Sequence, residues 1–167
     1  MVDVEFIKNI RQAIKEDNVK EVERLVGNDK EKLNTITPFG TWLHEAAGLG
    51  YIDLAEKLIS MGIDGTLEAK NIKGSPLATA ASKGQIEMVK FLRKKGYDYD
   101  LSNTDRNPLF RAIAADRIEM VKYLVDTGID ITANYSDDEN EPWDALQLAT
   151  DYGKDQIVKI LKAALNI

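Results

Sequence analysis

TWLHEAAGLGYIDLAEKLISMG, residues 41–62, is nearly restated as SPLATAASKGQIEMVKFLRKKG at 75–96 and as NPLFRAIAADRIEMVKYLVDTG at 107–128. Aligned on one alanine, the pattern extends to the ends of the chain. That alanine falls at Ala13, Ala46, Ala80, Ala112 and Ala149, with spacings of 33, 34, 32 and 37. A period near 33 residues is the mark of a stacked-repeat architecture, and it governs how every other motif is read.

The slots around the alanine have physical roles. Three residues before it stands Ile10, Leu43, Leu77, Leu109 or Leu146, and Ile14, Ala47, Ala81, Ile113 or Thr150 follows it. Small side chains here let one short helix lie close against the next. Four residues after the alanine come Asp17, Gly50, Gly84, Asp116 and Gly153. Glycine, and less readily Asp, takes the left-handed conformation, so this slot predicts a tight turn that ends a helix. A second apolar-periodic stretch begins two residues on: Ile52, Ala55, Leu58 and Ile59; Ile86, Val89 and Leu92; Ile118, Val121, Leu124 and Val125. Gly62, Gly96 and Gly128 then stop it.

A unit of helix, turn, helix and extended connection cannot bury its apolar face alone, so neighbours must stack into a continuous core. End units should differ. Where later copies carry Met88 and Phe91, or Met120 and Tyr123, the first carries Glu21 and Arg24, a face fit for water. In the last copy Asp155 takes the slot of Ile52, Ile86 and Ile118. Both read as caps, and polar caps favour a monomer. The expectation is one all-α solenoid over 1–167, with units near 1–34, 35–68, 69–101, 102–134 and 135–167.

Composition narrows the function. Apolar residues are 44% and charged residues 30%, a balance that folds rather than stays disordered. No apolar run reaches the roughly 18–20 residues of a membrane span, and MVDVEFIKNIRQ has acids where a signal peptide has bases. The absence of cysteine excludes disulfide and thiolate chemistry and favours the cytoplasm. A net charge of −6 argues against nucleic acid and anionic membranes and mildly favours a basic partner. No phosphate loop, nucleophile elbow or zinc motif occurs, so neither cofactor nor metal is expected. The Asp137–Glu141 stretch only loosely matches a calcium loop and lacks the EF-hand glycine.

Thr41-Trp42-Leu43-His44-Glu45-Ala46 resembles the T-P-L-H-x-A signature of the ankyrin repeat, with Trp in place of Pro. Ser75-Pro76-Leu77-Ala78-Thr79-Ala80 matches without the His, and Asn107-Pro108-Leu109-Phe110-Arg111-Ala112 is looser. Gly-Ile-Asp at 62–64 and 128–130 is similar to the G-A-D that closes the ankyrin helix pair. The resemblance implies L-shaped units with β-hairpin-like fingers, a structural His44 rather than a His44–Glu45 catalytic pair, and a protein partner held on the concave side. Carried over slot by slot, that surface comprises Phe39, Gly40, Leu49, Ser82, Lys83, Arg106, Ala114, Ala115, Asp151 and Tyr152, with Trp42 counted beside them as a contact residue. Lys73 and Gly74 are assigned less securely.

The last connection breaks the rhythm. Asn134–Asp144 holds five acids and no base, so most of the net charge sits on one finger flanked by Tyr135 and Trp143. Trp143 can tuck into the stack or meet a partner. Tyr and Trp are enriched at binding hot spots, and a negative prong of Asp137, Asp138, Glu139 and Glu141 would speed capture of a basic protein. The tail NYSDDENEPWDALQLATDYG also resembles the terminal unit of small bacterial ankyrin proteins of the immunity type. That resemblance implies a toxin as the basic partner; a general scaffold, or a designed or structural repeat protein without a natural ligand, is the alternative.

Overall fold

The computed structural model describes residues 3–67, 74–136 and 142–167. Eleven helices occur among them, ten of them in five pairs: α1 (Val4–Lys15) with α2 (Val19–Val26), α4 (Trp42–Leu49) with α5 (Ile52–Ser60), α6 (Pro76–Lys83) with α7 (Ile86–Lys94), α8 (Pro108–Ala114) with α9 (Ile118–Asp126), and α10 (Ala145–Asp151) with α11 (Asp155–Leu165). A single extra turn, α3 (Lys30–Leu33), follows the first pair. The pairs reproduce the repeat alignment and form an all-α solenoid.

Local chemistry starts each first helix. Asp3, Ser75 and Asp144 accept the N–H three residues on, and Asn107 accepts those of Leu109 and Phe110. Such caps satisfy donors that the helix cannot, each contributing about 1 kcal/mol. Pro76 and Pro108 occupy the first helical position, where a missing N–H costs nothing.

The turn slot is left-handed in all five copies: Asp17, Gly50, Gly84, Asp116 and Gly153 have φ between 51° and 79°. The chain doubles back there, and the second helix lies against the first of its own unit. Across units the first helices form a row, α1–α4–α6–α8–α10. Ala46, Ala47, Ala80, Ala81 and Ala112 lie between them with no exposure. Leu58, Leu92 and Leu124 on the second helices are also fully buried, each stabilising the stack by about 1.5–3 kcal/mol. Buried side chains from Phe6 to Leu161 join in one cluster.

The row has a second kind of joint. Tyr51, Gln85 and Arg117 occupy the slot just after the turn, and each donates to a carbonyl near the end of the preceding unit's first helix. Tyr51 Oη reaches Lys15 O at 3.3 Å, Gln85 Nε2 reaches Gly48 O at 3.4 Å, and Arg117 Nε reaches Ser82 O at 3.0 Å. In the last unit Lys154 pairs instead with Asp116, at 3.2 Å.

The first cap is wet as expected: Glu21 and Arg24 pair with each other at 2.7 Å on a face without a neighbour. The fingers are slighter than the hairpins expected. Among the described residues they reduce to two isolated bridges, Thr37–Gly40 and Tyr135–Trp143. No helix among the described residues is long and apolar enough to cross a membrane.

The turn slot yields a paired prediction. Gly84→Ala, at φ 75°, should lose about 1 kcal/mol, because a Cβ is strained there and meets Arg117 Cδ at 3.3 Å. Asp17→Gly, at φ 51°, should lose nothing and gain up to about 0.5 kcal/mol in urea unfolding.

Candidate functional site

The concave side carries a groove of about 770 Å³ running from the first unit to the fourth. Its apolar ends come from different elements. Leu49, in the last turn of α4, is 42% exposed, and Phe39, in the Thr37–Gly40 turn, is 53% exposed. The turn is held by paired bonds between Thr37 and Gly40, of 3.0 and 3.1 Å, and by Thr37 Oγ1 donating to Gly40 O at 2.9 Å. Arg11 reaches across from α1, its guanidinium 4.2 Å from the centre of the Phe39 ring. Lys83, at the end of α6, also lines the groove. Phe39, Leu49 and Lys83 therefore line one groove.

Beneath the groove lies His44. Its Nε2 is 3.0 Å from Gly74 O, which can only accept, so Nε2 carries the proton. Nδ1 then accepts from the Thr41 N–H at 3.2 Å and faces Thr41 Oγ1 at 2.9 Å. The ring ties the start of α4 to the next unit, and neither nitrogen is left for proton transfer. Gly40 lies against it: a Cβ at Gly40 would sit 2.7 Å from His44 Cβ. Gly74 is packed from the other side, its virtual Cβ 2.7 Å from Asp105 O. Gly40 and Gly74 are thus buried spacers rather than exposed contact slots. Burial pushes the His44 pKa down, against a smaller upward pull from the bond to Gly74.

Glu45, the next residue, faces the groove with only 10% of its side chain exposed. Arg11 Nε donates to its Oε2 at 3.2 Å. Its Oε1 is buried 3.2 Å from the same Arg11 nitrogen, an ion-pair contact without hydrogen-bond geometry among the described residues. Burial raises the carboxyl pKa, opposed by the charges of Arg11 and Lys15.

Several other expected contact residues lie outside this groove. Trp42 has no exposed surface; its indole donates to Lys32 O at 2.8 Å, and its ring meets Phe6 edge-on at 6.2 Å. It occupies the proline position, which opens into the core, so it has nothing to offer a partner. Arg106 pairs with Asp100 at 2.8 Å beside a smaller cavity of about 290 Å³. Tyr135 and Trp143 close the base of the last finger, bridged by backbone bonds of 3.0 and 2.9 Å. Both pack on Phe110, at 4.9 and 5.7 Å between ring centres. The Tyr135 hydroxyl donates to Leu101 O and accepts from Asn107, at 2.8 and 2.9 Å. Asp151 takes a 2.7 Å bond from Gln147, and Tyr152 is exposed; neither lines the groove. Asp137, Asp138, Glu139 and Glu141 lie outside the described residues, as does Lys73.

Slot reading passes over Arg11, Lys15, Glu45 and Arg111, which also line the groove. One signal was present: Arg11 and Glu45 are a base and an acid 34 residues apart, one repeat length, on facing helices.

Helix pairs at a period near 33, left-handed turns and a buried TxxH histidine define an ankyrin-type solenoid. Residues 43–135 and 102–167 match the family model for ankyrin repeats in three copies, and the chain belongs to the ankyrin-repeat family. It is also similar to protein phosphatase 1 regulatory subunit 27 of Mus musculus and of Homo sapiens. Each is 32% identical over 105 residues, which cover 62% of this chain and 64% of the relative. The chain thus spans just under two thirds of the relatives it matches. Ankyrin repeats generally mediate protein–protein interaction.

The lowered pKa of His44 gives a pH prediction. The unfolded imidazole takes up a proton near pH 6.5, whereas the folded one resists until lower pH. Stability contributed by neutral His44 is full above that value and is lost as pH falls below it, at no more than about 1.4 kcal/mol per unit. Urea midpoints between about pH 7 and 5.5 should decline in the wild type. His44→Gln should be less stable throughout, with a shallower decline.

Proposed function

We propose that this chain is a non-catalytic module that binds a partner protein along the concave groove. The observation that carries the reading is the meeting of exposed Phe39 and Leu49 in one groove whose rim is charged. Single exposed apolar side chains are ordinary, but two facing one cleft make an anchor site. Arg11 holds the Phe39 ring at 4.2 Å, so less side-chain freedom is lost when a partner docks. His44, the sole imidazole, is occupied by the fold.

The name of the relatives supports a regulatory role, in which the bound partner is itself an enzyme. The acidic run supports a second contact: Asp137, Asp138, Glu139 and Glu141 would steer a basic surface, and neutralisation of a basic toxin is the narrower form of that reading. On either form the chain works as a monomer when free, in a reducing compartment such as the cytoplasm, a setting supported by its lack of cysteine.

The test is affinity capture from native lysate, with mass spectrometry of the bound proteins. Phe39→Ala with Leu49→Arg should abolish capture of the main partner while leaving the helical circular dichroism unchanged. Neutralising the four acids to amides should preserve capture, slow association and flatten its salt dependence. Undiminished capture by the folded Phe39/Leu49 variant would remove the groove from the interface.

A further inference from the structure

The charge of the groove is opposite in sign to that of the chain. Four bases line it, Arg11, Lys15, Lys83 and Arg111, against two acids, Glu45 and Asp105, in a protein of net charge −6. Pairing does not cancel the excess. Arg11 is committed to Glu45, and Arg111 lies 3.8 Å from Asp105. Among the described residues neither Lys15 nor Lys83 joins an ion pair. A concave site lined by one sign of charge concentrates the opposite sign.

A second observation concerns the floor. Glu45 is nine-tenths buried in the groove wall, and its Oε1 lies 3.2 Å from Arg11 Nε in an ion pair but accepts no hydrogen bond among the described residues. The guanidinium neutralises the charge, and the oxygen keeps room to accept a further N–H. An incoming N–H would fill that position. The backbone of an extended peptide supplies one without bringing a positive charge among the lysines.

We propose that the groove receives an extended acidic segment of the partner. The segment sets an apolar side chain between Phe39 and Leu49, its carboxylates towards Lys15, Lys83 and Arg111, and a backbone N–H on Glu45 Oε1. The proposal rests on the reading of the groove as the protein-binding surface, and it fixes the polarity of what enters. The segment is thus distinct from any basic surface that the run Asp137–Glu141 would attract.

The experiment uses the full chain, isotope-labelled, and two series of short synthetic peptides. The series are identical but for Glu or Lys flanking a central Leu or Phe. The acidic series should shift the amide resonances of Leu49 and Lys83 and weaken as salt rises. Lys15→Glu with Lys83→Glu should weaken it about tenfold or more, with unchanged thermal unfolding. Methylating the peptide nitrogens one at a time should identify a single sensitive position, and that sensitivity should vanish in Glu45→Ala. Equal or tighter binding of the Lys series in the groove would overturn the acidic assignment and leave the protein-binding reading standing. Absence of groove shifts with both series would overturn it too, while lysate capture by the Phe39/Leu49 variant judges the wider reading separately. Groove shifts that grow with protein concentration alone would make the occupant a second copy of this chain, and the inference would fall.

Discussion

Two helices approach only as closely as the side chains between them allow. Between the first helices of this solenoid those side chains are mostly methyl groups: Ala46 and Ala47, Ala80 and Ala81, Ala112. The close row fixes the rise per unit, and the rise decides which atoms of successive fingers meet. His44 of one unit comes within 3.0 Å of the Gly74 carbonyl of the next, and Gly74 in turn lies under Asp105 O of the one after. A bulkier residue in the alanine slot would spread the row and part all three. The groove is a product of the same spacing, since its walls are consecutive copies of one helix end.

The chain sorts its charge by location. Its acidic surplus is written into the last connection, Asn134–Asp144, whereas the concave wall over the first four units has more bases than acids. Glu45 does not reverse that balance, because its charge is buried against Arg11 and its carboxyl pKa is raised by the burial. Net charge is therefore a poor guide to what docks in the groove, for beyond about 10 Å ordinary salt screens each patch from the other.

Much of this was legible in the sequence. The alanine period, the Gly-or-Asp turn slot and the apolar periodicity each name a steric requirement that few residue types can meet, so they survive repetition in recognisable form. Phe39, Leu49 and Lys83 carry exposed side chains, as their slots in the repeat suggest. Trp42 was misplaced for a physical reason. Its slot normally holds proline, and neither proline nor a large aromatic reveals which way the side chain turns; here it turns to Phe6 and the Lys32 carbonyl. Tyr135 and Trp143 looked like anchors because aromatic side chains suit interfaces and cores alike, and only their packing on Phe110 tells the two apart. Glu45 was hidden behind its neighbour His44, since whether a carboxylate has a donor on both oxygens is a property of three dimensions.

The slot after the turn was the least readable of all. Tyr51, Gln85 and Arg117 share no size, charge or aromaticity, only a reach of several bonds ending in a donor. Each closes off the helix behind it, supplying a proton to a carbonyl that the helix itself leaves bare. From the second unit to the fourth the dependence runs one way: each completes the helix of its predecessor. Loss of the third unit, for example, would strip this bond from the second and leave Arg117 of the fourth with an idle donor.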